Sequence, residues 1–190
     1  MSQPELFAKP ITHDAGAKAK PPWPAGSLIA ATFAGDVDCY RLSLSEVWNP
    51  AQPLIMWLMM NPSVATVTHA DRTLLKTGKF SRLWGFGGQI VGNVHAYRAT
   101  DAKRLLTVAD PVGPGNDAAL LQMARRTKVT ILAYGQPPKP LRARAASVVQ
   151  MLDEAGIATA YLRLAKDGTP CHPLYLPGDL HFIYRAIGKP

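Results

Sequence analysis

Three short segments of the sequence hold a polar side chain at the point where an apolar run stops. In Met59-Met60-Asn61-Pro62-Ser63 a hydrophobic stretch ends at an Asn-Pro pair. Proline cannot donate to a strand ladder and keeps the residue before it extended, so Asn61 is expected at a strand's mouth, where an uncharged amide can orient a water. The same pair also reads as an Asx-type turn that merely closes the strand. In Gln89-Ile90-Val91-Gly92-Asn93-Val94-His95-Ala96-Tyr97-Arg98 the polar Asn93 and His95 fall two apart and so share a strand face. An amide offers a donor and an acceptor in one plane, the complement of a pyrimidine's Watson–Crick edge; a buried amide bonded to nearby backbone is the alternative. In Gly168-Thr169-Pro170-Cys171-His172-Pro173-Leu174-Tyr175-Leu176-Pro177 a histidine lies in a proline-braced loop followed by bulky apolar residues. So held, His172 could hydrogen-bond a leaving base while Leu174 or Tyr175 pushes into a duplex; a solvent-facing histidine in a crossover is the plainer reading.

The elements that must position these residues follow an alternating pattern. From Pro53 onward, buried strands at Leu54–Met60, Gln89–His95, Val129–Tyr134 and Thr159–Leu162 alternate with helices near Arg72–Trp84, Asn116–Arg126 and Leu141–Ala155. That order predicts an α/β fold with a mostly parallel sheet covered by helices on both faces, and in such sheets ligands sit beyond the carboxyl ends of the strands. Ser27 to Phe33 and Cys39 to Val47 flank Gly35-Asp36 and read as an N-terminal β-hairpin, with Tyr40, Leu42 and Leu44 sharing a buried face. Residues 1–26, rich in proline and ending at Gly26, read as a loose arm ahead of one domain spanning 27–190. Gly85-Phe86-Gly87-Gly88 precedes a strand rather than following one, the wrong setting for a dinucleotide loop.

Composition narrows the partners. Over 190 residues, 47% are hydrophobic and 18% charged, the balance of one globular domain. Twenty-one lysines and arginines against 13 acids give a net charge of +8, an electrostatic footprint suited to phosphates, so DNA is the expected partner. Two cysteines, Cys39 and Cys171, cannot build a four-thiolate site, and neither metal nor cofactor is expected. The longest apolar run is far short of a membrane span, and a cytoplasmic monomer is expected.

Taken in order and spacing, these motifs resemble the uracil-DNA glycosylase superfamily over about residues 53 to 177. Asn61-Pro62 looks like the Asn-Pro version of that superfamily's first motif found in its mismatch-specific branch. Gly92-Asn93 with the following Tyr97-Arg98 is similar to its base-reading strand, Leu132-Ala133-Tyr134-Gly135 to its glycine-ended fourth strand, and His172-Pro173-Leu174-Tyr175-Leu176 to its last motif and intercalating loop. The whole string also resembles a small branch of bacterial and phage proteins carrying Asn-Pro-Ser, Asn-x-x-Ala-Tyr-Arg-Ala-Thr-Asp, Gly-Pro-x-Asn-Asp and His-Pro-Leu-Tyr-Leu. The resemblance implies a three-layer α/β/α glycosylase-like fold and a monofunctional, metal-free DNA glycosylase in which Asn61 orients water, Asn93 reads the base and His172 stabilises the leaving group. It implies that Ser63, where the uracil-specific branch has a tyrosine, leaves room beside C5, so that the target is a 5-modified pyrimidine and the role defence against phage with modified DNA.

Some assignments stay open at this stage. Asp71 is either a second polar group facing the sugar or the N-cap of the following helix. Spacing does not fix the aromatic that would stack on the base: Phe86 is the first candidate, with Phe80 and Trp84 as alternatives. Arg98, Arg142 and Arg144, with Lys103 and Arg104, are candidate phosphate contacts. A non-catalytic nucleic-acid-binding domain and a hydrolase of free nucleosides or nucleotides are the competing functions.

Overall fold

A computed structural model describes residues 13–16 and 18–186. Seven strands form one mixed sheet: β1 (Leu28–Ala34), β2 (Tyr40–Val47), β3 (Leu54–Met59), β4 (Gly88–Asn93), β5 (Thr130–Leu132), β6 (Thr159–Tyr161) and β7 (Ile183–Tyr184), in the spatial order β1-β2-β4-β3-β5-β6-β7. The four central strands β4-β3-β5-β6 run parallel, while the β1–β2, β2–β4 and β6–β7 pairings are antiparallel. The sheet is therefore parallel at its centre and antiparallel towards both edges, rather than mostly parallel, because the hairpin β1–β2 joins it through β4 and the short β7, which the sequence reading missed, closes the far edge.

Three helices, α1 (Arg72–Leu83), α2 (Asn116–Arg125) and α3 (Arg142–Glu154), connect the parallel strands. β3 shows why its sequence is an unbroken apolar run. Ile55, Trp57 and Met59 join a core with Leu74 and Phe80 of α1, whereas Met56 and Leu58 join Leu120 and Met123 of α2 and Val148 and Leu152 of α3. A strand covered on both faces needs apolar residues at both phases of its period of two, and each fully buried one contributes about 1.5–3 kcal/mol. On β4 the phases diverge: Ile90 faces α2, and Val91 faces α1. Gly92 also faces α2, where an added Cβ would meet the tips of Leu120 and Met123. Asn93 therefore projects, like Val91, to the α1 side.

The segment before the hairpin has neither helix nor strand among its described residues, yet it is not loose. Thr100 N–H donates to the Ala15 carbonyl, Ala70 N–H to the Pro21 carbonyl and the Trp23 indole to the Thr66 carbonyl. These bonds tie it across the loops that follow β3 and β4. Residues 1–12 of the expected arm lie outside the described residues. No helix among the described residues is long and apolar enough to cross a membrane.

Candidate active site

At the carboxyl ends of β3 and β4, pairing continues beyond the regular strands. Met59 and Asn93 are partners in register, Val94 N–H donates to the Met59 carbonyl, His95 N–H to Met60 and Ala99 N–H to Pro62. Two asparagines are thereby set on adjacent chains at one end of the sheet. The third segment arrives from the other side. Gly135, just past β5, has φ +67°, and its missing side chain leaves space for His172, whose Cβ would lie 3.1 Å from a Cβ added there. Asn61, Asn93 and His172 consequently line one cleft of about 640 Å³, together with Ser63, Asp71, Leu174 and Tyr175.

Each of these side chains has a defined state. Asn61 donates from Nδ2 to the Ala99 carbonyl at 2.7 Å and to the Pro62 carbonyl at 3.1 Å, which fixes the amide and leaves Oδ1 as its acceptor. Asn93 is 1% exposed, and its Oδ1 has no hydrogen-bond partner among the described residues. A buried amide oxygen left open costs stability unless a ligand or water meets it. Behind it, Asn116 at the start of α2 donates to the carbonyls of Asn93 and Val94, holding the end of β4 in place. Ser63 also has a buried hydroxyl without a partner among the described residues.

His172 accepts the Leu174 amide through Nδ1 at 3.3 Å, so a neutral ring carries its proton on Nε2. Burial pushes its pKa below the ordinary histidine value, outweighing the opposite pull of Asp71. The ring is thus a neutral donor. Asp71 serves as the N-cap of α1, accepting the Leu74 amide at 2.9 Å, and it lines the cleft as well. Leu174 and Tyr175 lie in a single 3₁₀ turn, Pro173–Tyr175, at the cleft, Leu174 half-buried and Tyr175 82% exposed.

Several expected contributors lie elsewhere. Phe86 precedes β4, at the amino end of the parallel strands, where it packs in the α1-side core near Phe182; it is 7% exposed and cannot stack on a group in this cleft. Phe80 and Trp84 are stacked on each other in the same core. Arg98 is buried, donates to the Asp38 carbonyl and lies over the Phe33 ring, so it braces the hairpin instead of meeting a phosphate. Arg144 is committed to Asp117 and to the Val94 carbonyl. Arg142 remains exposed at the start of α3, and His95, buried behind the strand ends, does not line the cleft.

The structure also supplies residues that sequence reasoning missed. Lys18, from the segment before the hairpin, and Arg72, from the first turn of α1, bring positive charge to the cleft. Arg41 of β2 is its buried cation. The expected inward face of Tyr40, Leu42 and Leu44 is not the observed one, because the β1–β2 register passes from Thr32–Ser43 to Phe33–Arg41, skipping Leu42. That bulge flips the alternation, so Arg41 and Leu44 are buried while Tyr40 and Leu42 are only partly covered. No pattern of residue types announces the extra residue; only a buried arginine in a strand hints at it.

A family model described as a protein of unknown function (DUF1643) matches residues 41–174, which span the cleft's residues from Arg41 to Leu174. No curated protein and no solved structure matches the chain.

Proposed function

We propose that this chain, which belongs to the DUF1643 family of proteins of unknown function, is a monofunctional DNA glycosylase that flips a pyrimidine from DNA and hydrolyses its N-glycosidic bond. The chief support is the convergence of Asn61, Asn93 and a neutral His172 on one cleft at the carboxyl edge of the parallel strands. The central strand order β4-β3-β5-β6, with helices on both faces, agrees with the three-layer glycosylase-like architecture implied by the motifs.

Nothing in this reaction requires a covalent enzyme intermediate. The bond from C1′ to the base breaks with its electron pair passing to the base, and the oxygen of water bonds to C1′. One of the water's protons stays on the new C1′ hydroxyl, and the other ends on the departing base, directly or by way of solvent. His172 donates from Nε2 to the developing negative charge on the base's O2, a charge-stabilising role in which one donor is worth about 10²–10³ in rate. Asn61 accepts a hydrogen bond from the attacking water through Oδ1, with Asp71 as the second polar group on the sugar's side. Asn93 pairs with the Watson–Crick edge, which satisfies its open Oδ1. Tyr175, with Leu174 beneath it, fills the gap left in the stack.

Ser63, small and with a hydroxyl that has no partner among the described residues, stands beside C5 and leaves room for a substituent there. The target is accordingly a 5-modified pyrimidine, and defence against phage with modified DNA is the role that follows. The test is incubation with uracil-containing, mismatched and phage-modified DNA followed by alkali. Strand breaks at modified pyrimidines are expected; breaks at uracil alone would remove the modified-base assignment, and binding without breaks would leave a non-catalytic DNA-binding domain.

A further inference from the structure

Arg41 is a buried cation that forms no ion pair among the described residues. It is 2% exposed, and its only side-chain hydrogen bond among the described residues runs from Nη1 to the Ala65 carbonyl at 3.0 Å. Among the described residues Nε has no partner, and no carboxylate lies within ion-pair distance. Asp71 is the acid that faces it, but one oxygen of that carboxylate is engaged by the Leu74 amide, and Arg98 adds a second positive charge nearby. Burial accordingly outweighs Asp71 and lowers the Arg41 pKa to about 10. A guanidinium has donors and no acceptors, so whatever completes its shell must bring lone pairs or negative charge. The bulge at Leu42 is what aims this side chain into the cleft, and bulges recur next to active sites for that reason.

Depth decides what the cleft delivers to it. Arg41 and Asn93 are both almost wholly buried, on adjacent strands, whereas Lys18, Arg72 and Tyr175 are exposed parts of the lining. A DNA backbone stays among the exposed residues, and only the flipped base reaches the interior. We infer that Arg41 is a further catalytic residue, whose guanidinium holds the negative charge that passes to the base as the glycosidic bond breaks, opposite the hydrogen bond from His172. The assignment rests on the proposed glycosylase reaction, in which C1′ loses the base and the electron pair leaves with it.

Binding of free bases tests this without any bond being cut. At pH 7.5, 5-nitrouracil is an anion and thymine is neutral, while their C5 substituents are similar in size. Calorimetric titration of the wild type with each is expected to give about tenfold or greater preference for the anion. Arg41→Gln should bring the two affinities within about threefold, and Arg41→Lys, which keeps the charge, should retain part of the preference. Arg41→Met is the second neutral variant should the glutamine protein not fold, both being compared with the wild type by circular dichroism and melting. Lack of binding to either base, equal affinities in the wild type, or a preference that survives loss of the charge would overturn the role. So would inorganic phosphate displacing 5-nitrouracil at matched ionic strength, since the site would then be one for phosphates. Abasic-site formation by a protein with no anion preference would leave the glycosylase and remove Arg41; anion preference without abasic sites would do the opposite.

Discussion

The chemistry proposed for His172 depends on a proton being on one nitrogen and absent from the other. Nδ1 accepts the Leu174 amide, so protonating it would set two N–H groups against each other and dislodge the ring. With its pKa held below the ordinary value by burial, the imidazole stays neutral across the neutral range. The single-turnover rate of base release should therefore be flat from pH 8 down to about 6.5 and fall only at lower pH, as the depressed pKa is crossed; a rate that climbs on acidification through 6.5 would mean that the charged ring is the active form. His172→Ala should lower that rate by about 10²–10³ while leaving DNA binding intact. The residues that carry these roles were legible as types and positions: Asn61, Asn93 and His172 each interrupt an apolar or proline-rich run. Arg41 was not, since its burial comes from a skipped residue in a strand pairing, and neither were the commitments of Arg98 and Arg144, which depend on Asp38 and Asp117 arriving from distant segments.

At the scale of elements, the cleft is held open by features with separable costs. Asp71 caps α1, and Asp71→Asn should cost little stability while Asp71→Ala loses about 1 kcal/mol, measured by urea unfolding. Because the carboxylate also faces the sugar in the proposed reaction, the asparagine variant is expected to lose activity without a change in stability; full activity would mean that it acts only as a cap. Gly135, just past β5, is where the His172 loop packs closely. Gly135→Ala forces a side chain to adopt φ +67° and brings its Cβ to 3.1 Å from His172 Cβ, so both stability, by about 1–2 kcal/mol, and activity should fall together. Loss of stability alone would mean that the loop tolerates displacement. Most of these elements were visible in the periodicity. The three helices begin and end within one residue of the predicted limits, stopping one position short of Trp84, Arg126 and Ala155 and beginning one position after Leu141. The antiparallel edges were less visible, because a two-residue strand such as Ile183–Tyr184 has no pattern to detect and a hairpin's attachment to β4 is a long-range choice.

For the whole molecule, charge and acid response are the readouts. Should DNA bind through the net +8 charge, affinity falls steeply with salt, about 10²-fold between 50 and 200 mM if four phosphates are neutralised, and Lys18→Ala or Arg72→Ala each lowers the slope by about one. Salt-independent affinity would remove the nucleic-acid partner. Stability has its own pH signature. Burial, reinforced by Arg144, pushes the pKa of His95 down to about 4, so the unfolded chain takes up a proton that the folded one refuses. Stability from this group is complete above pH 6.5 and is lost as pH falls towards 4, by up to about 3 kcal/mol; an unfolding free energy that stays constant over that window would contradict the buried neutral ring.

The measurement closest to the central claim is mass-spectrometric detection of free base. DNA carrying 5-modified pyrimidines is incubated with the wild type and with His172→Ala in water enriched in heavy oxygen. Release of the intact modified base by the wild type, one heavy oxygen on the abasic sugar and a loss of both in the variant are the predicted results. DNA that is bound yet returns every base attached, in the wild type as in the variant, would contradict the account.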